Sequence, residues 1–370
     1  MANKNPHTSA KRNAMHTMKQ RLKSILTFFC WLSVLLMWGS AASVYVNPAT
    51  YGRYFGVLGL AFPVFVAFVL LMLAFSAILL QRQAFICLFG LAACCGSLRD
   101  YCPVNLTSPP PRGCLKVMSF NVMGFDGMKK DGRDYAVPRF IVDNQPDIVA
   151  MQEAFATDAD AAEITAYFRR YGYHFDRCFT AASPVAVASK YPIVRKETVC
   201  HTPTNGVAAF TLRTSARDSI ILVCAHLQSM GLSETIRQSF RQMVEKPQEA
   251  RAIHGKRVLV SRIATASHAR ALMADTLAAF LDRHAGEPVV LMGDFNDTPI
   301  SYAHHMACTR LTDAYRATAN GIGRSFHRDA IYVRIDNIFC SAHWKPFACI
   351  VDDTVDLSDH YPIVAYLKRQ

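Results

Sequence analysis

Val289-Val290-Leu291-Met292-Gly293-Asp294-Phe295-Asn296-Asp297-Thr298-Pro299 is an apolar run that ends abruptly in a polar loop. The run reads as a buried strand. Residues two apart at a strand end point the same way, so Asp294 and Asn296 lie side by side at the mouth of a sheet. The carboxylate can take or orient a proton, and the carboxamide can donate to an anionic oxygen. That combination suits phosphoester hydrolysis.

Five more polar clusters stand where apolar runs stop. Asn121 closes Met118-Ser119-Phe120-Asn121-Val122, and Glu153 ends the run from Pro146. His226 ends Val223-Cys224-Ala225-His226-Leu227, and Asp336 is the carboxylate of Arg334-Ile335-Asp336-Asn337-Ile338. Asp359 and His360 precede the last strand in Leu357-Ser358-Asp359-His360-Tyr361-Pro362-Ile363. Taken singly, each has an ordinary explanation: a turn residue, a satisfied histidine, or a helix cap for Glu153. Together they supply a metal carboxylate, two histidines, an anion-binding amide and further acids, the parts of a metal-assisted phosphohydrolase. Between them the pattern predicts strands at 115–122, 147–152, 185–189, 208–213, 220–226, 289–294, 331–340 and 363–367, with helices at 160–170 and 258–283. That is a mixed α/β domain with one core and no strong internal repeat.

The first hundred residues differ. Hydrophobic content is 51% over the 370-residue chain, concentrated in this region. The formal charge is +12, half of it from Lys4, Lys11, Arg12, Lys19, Arg21 and Lys23, which reads as a topology signal more simply than as a nucleic-acid grip. Residues 1–23 form a basic cytoplasmic start, and 24–100 a transmembrane segment with apolar runs at 24–46, 54–80 and 84–98. Pro63 interrupts the second run, which a membrane helix tolerates. Ser40-Ala41-Ala42 resembles a signal-peptide cleavage site, but the second long run favours a retained anchor. If the third run also crosses, the remainder lies outside the cytoplasm. A stiff Pro-rich linker, 101–113, leads to the domain at 114–370. The twelve cysteines contain no CxxC pair, which argues against zinc; a disulfide is open in an exported domain, and Cys224 reads as core.

The order of the clusters resembles the endonuclease/exonuclease/phosphatase superfamily, which includes pancreatic deoxyribonuclease, abasic-site endonucleases, neutral sphingomyelinases and inositol-phosphate phosphatases. SFNV, QE, SKYPI, HL, GDFND, RIDNI and SDHYPI occur in the family's order across 114–370. GDFNDTPISYAHH followed by RIDNIF looks most like membrane-attached bacterial members. The resemblance implies an α/β fold, a four-layer sandwich of two packed β-sheets flanked by helices, here preceded by a transmembrane helical segment in a multi-pass inner-membrane protein. It implies that Glu153, with Asn121 and Asp359 near it, holds Mg²⁺, with Mn²⁺ as the alternative. Asp294 and Asn296 would orient the attacking water and bind phosphate oxygen. Asp336 would pair with His360 beside the scissile phosphate, and His226 would donate to phosphate or leaving group.

The expected substrate is a phosphodiester or phosphomonoester: a lipid headgroup, a nucleic acid or a nucleotide. The rivals are a nuclease acting on extracytoplasmic DNA or RNA, a sphingomyelinase-like lipid phosphodiesterase, and a membrane-tethered phosphate-binding module without turnover. The bilayer is the expected partner, and no protein partner is predicted. A basic stretch, Arg237, Arg241, Lys246, Arg251, Lys256, Arg257, Arg262 and Arg270, reads first as a solvated helical face and second as a funnel for an anionic substrate.

Overall fold

The computed structural model describes residues 6–128, 135–155, 158–178, 182–231, 250–328 and 333–370. The chain forms two compact units. One comprises Met1–Ala42 and Leu60–Leu98; the other comprises Ser43–Gly59 and Arg99–Gln370.

The first unit is helical. Its stretches Pro6–Ala42, Phe62–Ile78 and Ala84–Ala93 pack through small residues: a Cβ on Gly90 would stand 2.5 Å from Val34 Cγ2. Trp38 Nε1 donates to the Gly90 carbonyl at 3.0 Å. Among the described residues, Met15–Tyr45 is long and apolar enough to cross a bilayer. The run expected at 54–80 is broken. A short helix, Phe55–Leu60, ends at Ala61, and a new one starts with Pro63 in its first turn, where the missing N–H costs nothing. The run expected at 84–98 becomes Ala84–Ala93 and Cys95–Tyr101, bent by 68°, which counts as a second span only if the pair is taken as one.

The second unit holds two six-stranded sheets. The first is built from β1 (Leu115–Asn121), β2 (Ile148–Gln152), β3 (His174–Cys178), β4 (Val185–Ser189), β11 (Trp344–Val351) and β12 (Ile363–Arg369), in the order β11-β12-β1-β2-β4-β3. The second contains β5 (Ile193–His201), β6 (Gly206–Ser215), β7 (Asp218–His226), β8 (Val289–Asp294), β9 (Thr312–Asp313) and β10 (Asp336–Cys340), in the order β5-β6-β7-β8-β10-β9. Val117, Ile148 and Val187 meet Leu222, Val290 and Ile338 in the core between the sheets. The outer face of the second sheet is covered by the helix Ala250–Arg283 through Met273, Leu277 and Phe280. The helices Ala136–Asn144 and Asp158–Arg170 cover the first through Ile141, Ile164 and Phe168. This is the four-layer sandwich. Its central strands are buried on both faces, which is why they read as continuous apolar runs without alternation.

Two parallel pairs align the site. β1 and β2 place Asn121 beside Gln152, and β7 and β8 place His226 beside Asp294. β10 runs antiparallel to β8 and sets Asp336 opposite Asp294. The strand expected at 331–340 therefore begins only at Asp336 among the described residues. The expected linker is fastened where it begins: Asn105 Nδ2 donates to the carbonyls of Arg316 (3.1 Å) and Ala319 (2.6 Å). All twelve cysteines are free thiols, and Cys224 is core, as its strand implied.

Candidate active site

The six clusters converge at one edge of the sandwich, with Asp294 as their hub. Asp294 Oδ1 accepts the Asn296 backbone N–H at 2.7 Å. Its Oδ2 accepts Asn121 Nδ2 at 3.3 Å and Asn296 Nδ2 at 3.2 Å. The same oxygen lies 3.8 Å from His226 Nε2 and 3.7 Å from His360 Nε2. Asn121 Nδ2 also donates to Glu153 Oε1 at 3.2 Å, so one amide ties two carboxylates together. Three residues here take left-handed backbone: Met123 (φ 44°), Glu153 (φ 52°) and Asn296 (φ 51°). Such conformations cost about 1–3 kcal/mol each and persist where surrounding bonds over-determine them.

His360 Nδ1 lies 2.8 Å from Asp336 Oδ2. Both its nitrogens face carboxylates, Asp294 from 3.7 Å, an arrangement that favours the doubly protonated, cationic ring. Burial opposes this, yet Asp336 and Asp294 overcome it and push His360 up to about 10. Burial pushes the Asp294 carboxyl up to about 7, with Asp336 and Glu153 adding to the effect against the pull of His360. Asp336 Oδ1 is buried without a hydrogen-bond partner among the described residues.

His226 lies in a different environment from His360. Burial holds it near 3, with His360 adding to the effect, so it is neutral. Nδ1 faces Ser183 Oγ at 3.3 Å and Nε2 faces Asn205 Nδ2 at 2.9 Å. Both ring nitrogens therefore have side-chain partners, Ser183 and Asn205, while Nε2 also lies 3.8 Å from Glu153 Oε1 and from Asp294 Oδ2. Asn296 is similarly occupied: Nδ2 donates to Leu227 O at 3.0 Å as well as to Asp294. In this arrangement the amide is turned toward Asp294 and Leu227.

Three candidate metal residues were expected at Asn121, Glu153 and Asp359. Glu153 is the most open of the cluster, its side chain 31% exposed. The Asn121 side-chain oxygen accepts Met123 N–H at 3.2 Å, so this residue braces Glu153 and Asp294 through its nitrogen. Asp359 Oδ1 lies 3.4 Å from Ser358 Oγ. The carboxylate and imidazole atoms of Asp294, Asp336 and His360 lie within 4.8 Å of one another, close enough for one ion. Four acids against one cationic imidazole, with an orphaned Asp336 oxygen among them, leave the site short of positive charge. A divalent cation at Glu153 fits that deficit.

A model of the endonuclease/exonuclease/phosphatase family matches residues 118–360, spanning every residue just described. The chain belongs to that family. It is accordingly a phosphoester hydrolase. A second model, a domain of unknown function (DUF8431), matches residues 23–101. No curated protein matches the chain. Among solved structures it is similar to an endonuclease/exonuclease/phosphatase from Bacteroides vulgatus, with 19% identity over 70% of this chain and 100% of that one and a TM-score of 0.47. It is also similar to an AP endonuclease from Archaeoglobus fulgidus, with 17% identity over 68% and 98% and a TM-score of 0.46. The 3′ phosphatase NExo from Neisseria, bound to a product DNA hairpin, shows 18% identity over 69% and 99% and a TM-score of 0.46.

Several supporting contacts of this family member were not legible in the sequence. Ser358 Oγ donates to the Asn121 carbonyl (2.7 Å) and receives the His360 N–H (3.3 Å), joining the first and last clusters. Ser325 Oγ accepts the backbone N–H groups of Ile335 and Asp336, each at 3.0 Å. Asn205, whose Nδ2 lies 2.9 Å from His226 Nε2, belongs to none of the six clusters. Arg270, read as part of a basic face, is buried at 3% exposure and paired with Asp297 at 2.9 Å. Arg257 and Arg262 are exposed, and the side chains of the other five basic residues of that stretch lie outside the described residues.

Proposed function

We propose that this hydrolase is a membrane-held, Mg²⁺- or Mn²⁺-dependent phosphoesterase in which Asp294 takes the proton of the attacking water and His360 meets the phosphate as a cation. The observation that carries the reading is the position of Asp294. It is held by three N–H donors and faces the one imidazole that another carboxylate keeps protonated. Asp336 holds Nδ1 of that ring, and Nε2–H is left to donate to a phosphoryl oxygen. Asn121 and Asn296 keep the base from rotating. Glu153, with Asn121 and Asp359, would hold the divalent ion, which when bound offsets charge developing on the phosphoryl oxygens.

Membrane attachment is supported by Met15–Tyr45 and by the chain's first acidic residue being Asp100. Topology follows from chain order. Ser43–Gly59 and Arg99–Gln370 share one compact unit, which supports a topology with both on one face of a bilayer. If the basic start is cytoplasmic, this reading puts that face outside the cytoplasm and requires the shorter helix Phe62–Ile78 and the bent pair Ala84–Ala93 and Cys95–Tyr101 to cross as well. A bilayer tether favours a phosphoester presented at the membrane surface, a lipid headgroup above a soluble nucleotide.

The test uses the full chain in nanodiscs, as wild type, Asp294→Asn and His360→Gln, with Mg²⁺, Mn²⁺ or EDTA. The substrates are headgroup lipids in vesicles, duplex DNA, a generic phosphodiester and a phosphomonoester. Turnover should require the metal and fall about 10²–10⁴-fold in either variant. Activity that survives EDTA or Asp294→Asn overturns the mechanism. Turnover of DNA alone, steeply salt-dependent, would select the nuclease; binding without turnover would select the tethered binding module. Reporter fusions at residue 81 and at the C-terminus should fall on opposite sides.

A further inference from the structure

Arg270 belongs to the helix Ala250–Arg283, yet its guanidinium reaches the loops that leave β7 and β8. Nε donates to Asp297 Oδ2 at 2.9 Å and Nη1 to the Gln228 carbonyl at 3.0 Å. Asp297 follows Asn296, and Gln228 follows Leu227, the residue whose carbonyl receives the Asn296 amide. One buried cation therefore fastens the two strand ends that carry His226, Asp294 and Asn296. Its third bond, from Nη2, goes to Ser267 Oγ at 3.0 Å.

Ser267 is itself held from outside the sandwich. A Cβ on Gly56 would lie 2.4 Å from both Cβ and Oγ of Ser267. A Cβ on Gly59 would lie 2.0 Å from the carbonyl oxygen of Ile300, at the far end of the loop that begins at Asp294. These distances leave room for hydrogen only, so both glycines are close backbone approaches. The rest of Ser43–Gly59 is fastened to the same elements. Asn47 Nδ2 donates to Asp275 Oδ2 at 2.9 Å and to Tyr302 Oη at 3.1 Å. Tyr45 meets His305 edge-on, with centroids 4.8 Å apart, and Arg53 donates to Thr265 Oγ1 at 3.2 Å. A simple tether between two apolar helices would need none of these bonds.

We infer that Ser43–Gly59 is a positioning clamp for the active-site loops, acting through Ser267 and Arg270 on Gln228 and Asp297 and directly on Ile300. It rests on the phosphoesterase reading for its effect on turnover, and on packing alone for its effect on the loops. Any displacement of this segment moves the backbone on either side of Asp294 and Asn296. The catalytic body is then 43–59 together with 99–370, and a fragment cut at the Pro-rich linker lacks a working part.

The test keeps the full chain in nanodiscs and compares wild type, Gly56→Ala, Ser267→Gly and the double variant. Two readouts are taken: kcat and KM on the generic phosphodiester with Mg²⁺, and hydrogen exchange across 225–229 and 293–300. Gly56→Ala should lower kcat about 10- to 100-fold with KM nearly unchanged, because misplacing a reacting group is felt in the chemical step. It should also speed exchange at Leu227 and Phe295, whose N–H groups bond Asp294 O and Ile335 O at 2.9 and 2.8 Å. Ser267→Gly removes both clashing atoms, so the double variant should return to the behaviour of Ser267→Gly alone. Unchanged exchange in Gly56→Ala overturns the clamp, as does faster exchange with unchanged kcat. A double variant with a greater defect than Ser267→Gly alone overturns it as well. A wild type without turnover would defeat the phosphoesterase reading, and exchange alone would then decide the clamp.

Discussion

His360 is the residue whose state organises the site. Its charge comes from the two carboxylates that flank it, Asp336 at 2.8 Å and Asp294 at 3.7 Å. Asp336→Asn keeps the shape and takes away one of those charges, and an amide can present its N–H to Nδ1 and reverse the ring's tautomer. Turnover should fall about 10²–10⁴-fold with the fold intact, as checked by kcat and circular dichroism on the same preparation. Near-wild-type kcat would mean that Asp336 neither charges nor orients the ring. His226 shows the opposite environment. It is buried without an anion in hydrogen-bond contact and stays neutral, although sequence position alone placed it in the same class as His360.

At the scale of elements, the site exists because strands stop together. The parallel pairs β1/β2 and β7/β8 bring four polar termini to one edge, and the antiparallel β8/β10 pair adds Asp336. Gly293, one residue before Asp294, lets β8 approach β7 at that edge. Its φ is 153°, and a Cβ there would stand 1.9 Å from the Ala225 carbonyl oxygen. Backbone cannot yield as a side chain can, so Gly293→Ala should destabilise the protein by about 3 kcal/mol and abolish turnover, read by chemical denaturation and by kcat. A variant as stable as wild type would show that β7 and β8 can separate without loss. Apolar runs revealed the central strands, while β3, β5, β9 and β11 went unread. β5, Ile193–His201, carries Arg195, Lys196 and Glu197 at an exposed sheet edge, where charge is suited to the position and hides the strand.

For the whole molecule, a second buried charge network lies apart from the chemistry. His304 Nε2 meets Asp313 Oδ2 at 3.1 Å, and Arg334 Nη1 meets the same oxygen at 3.3 Å. Burial would lower His304, but Cys308 and Asp313 overcome it and raise the ring to about 10. A raised folded-state value stabilises fully below the unfolded value, about 6.5, and the benefit fades as pH climbs toward 10. His304→Asn should therefore destabilise most near pH 6, and its deficit against wild type should shrink by up to about 1.4 kcal/mol per pH unit between pH 7 and 9. Denaturation at several pH values measures it, and a deficit independent of pH would mean that the ring is neutral in the fold.

Sequence by itself determined the family, the order of the six clusters and the central strands, because buried strands and strand-end polar groups leave local marks in Val289–Asp294, Val185–Ser189 and their kin. It also marked residues 24–46 as apolar enough to span a bilayer. Tertiary structure alone decided what each polar residue does. The amide of Asn296 turned inward to Asp294 and Leu227, and Arg270 was drawn from an apparent surface stripe into a buried ion pair. Ser43–Gly59 likewise joined the catalytic body from between two apolar helices. The reason is physical: hydrophobic periodicity is written in neighbouring residues, whereas a charge or a hydrogen bond takes its meaning from partners that folding brings together, as Asn121 with Asp294 and Asn47 with Asp275.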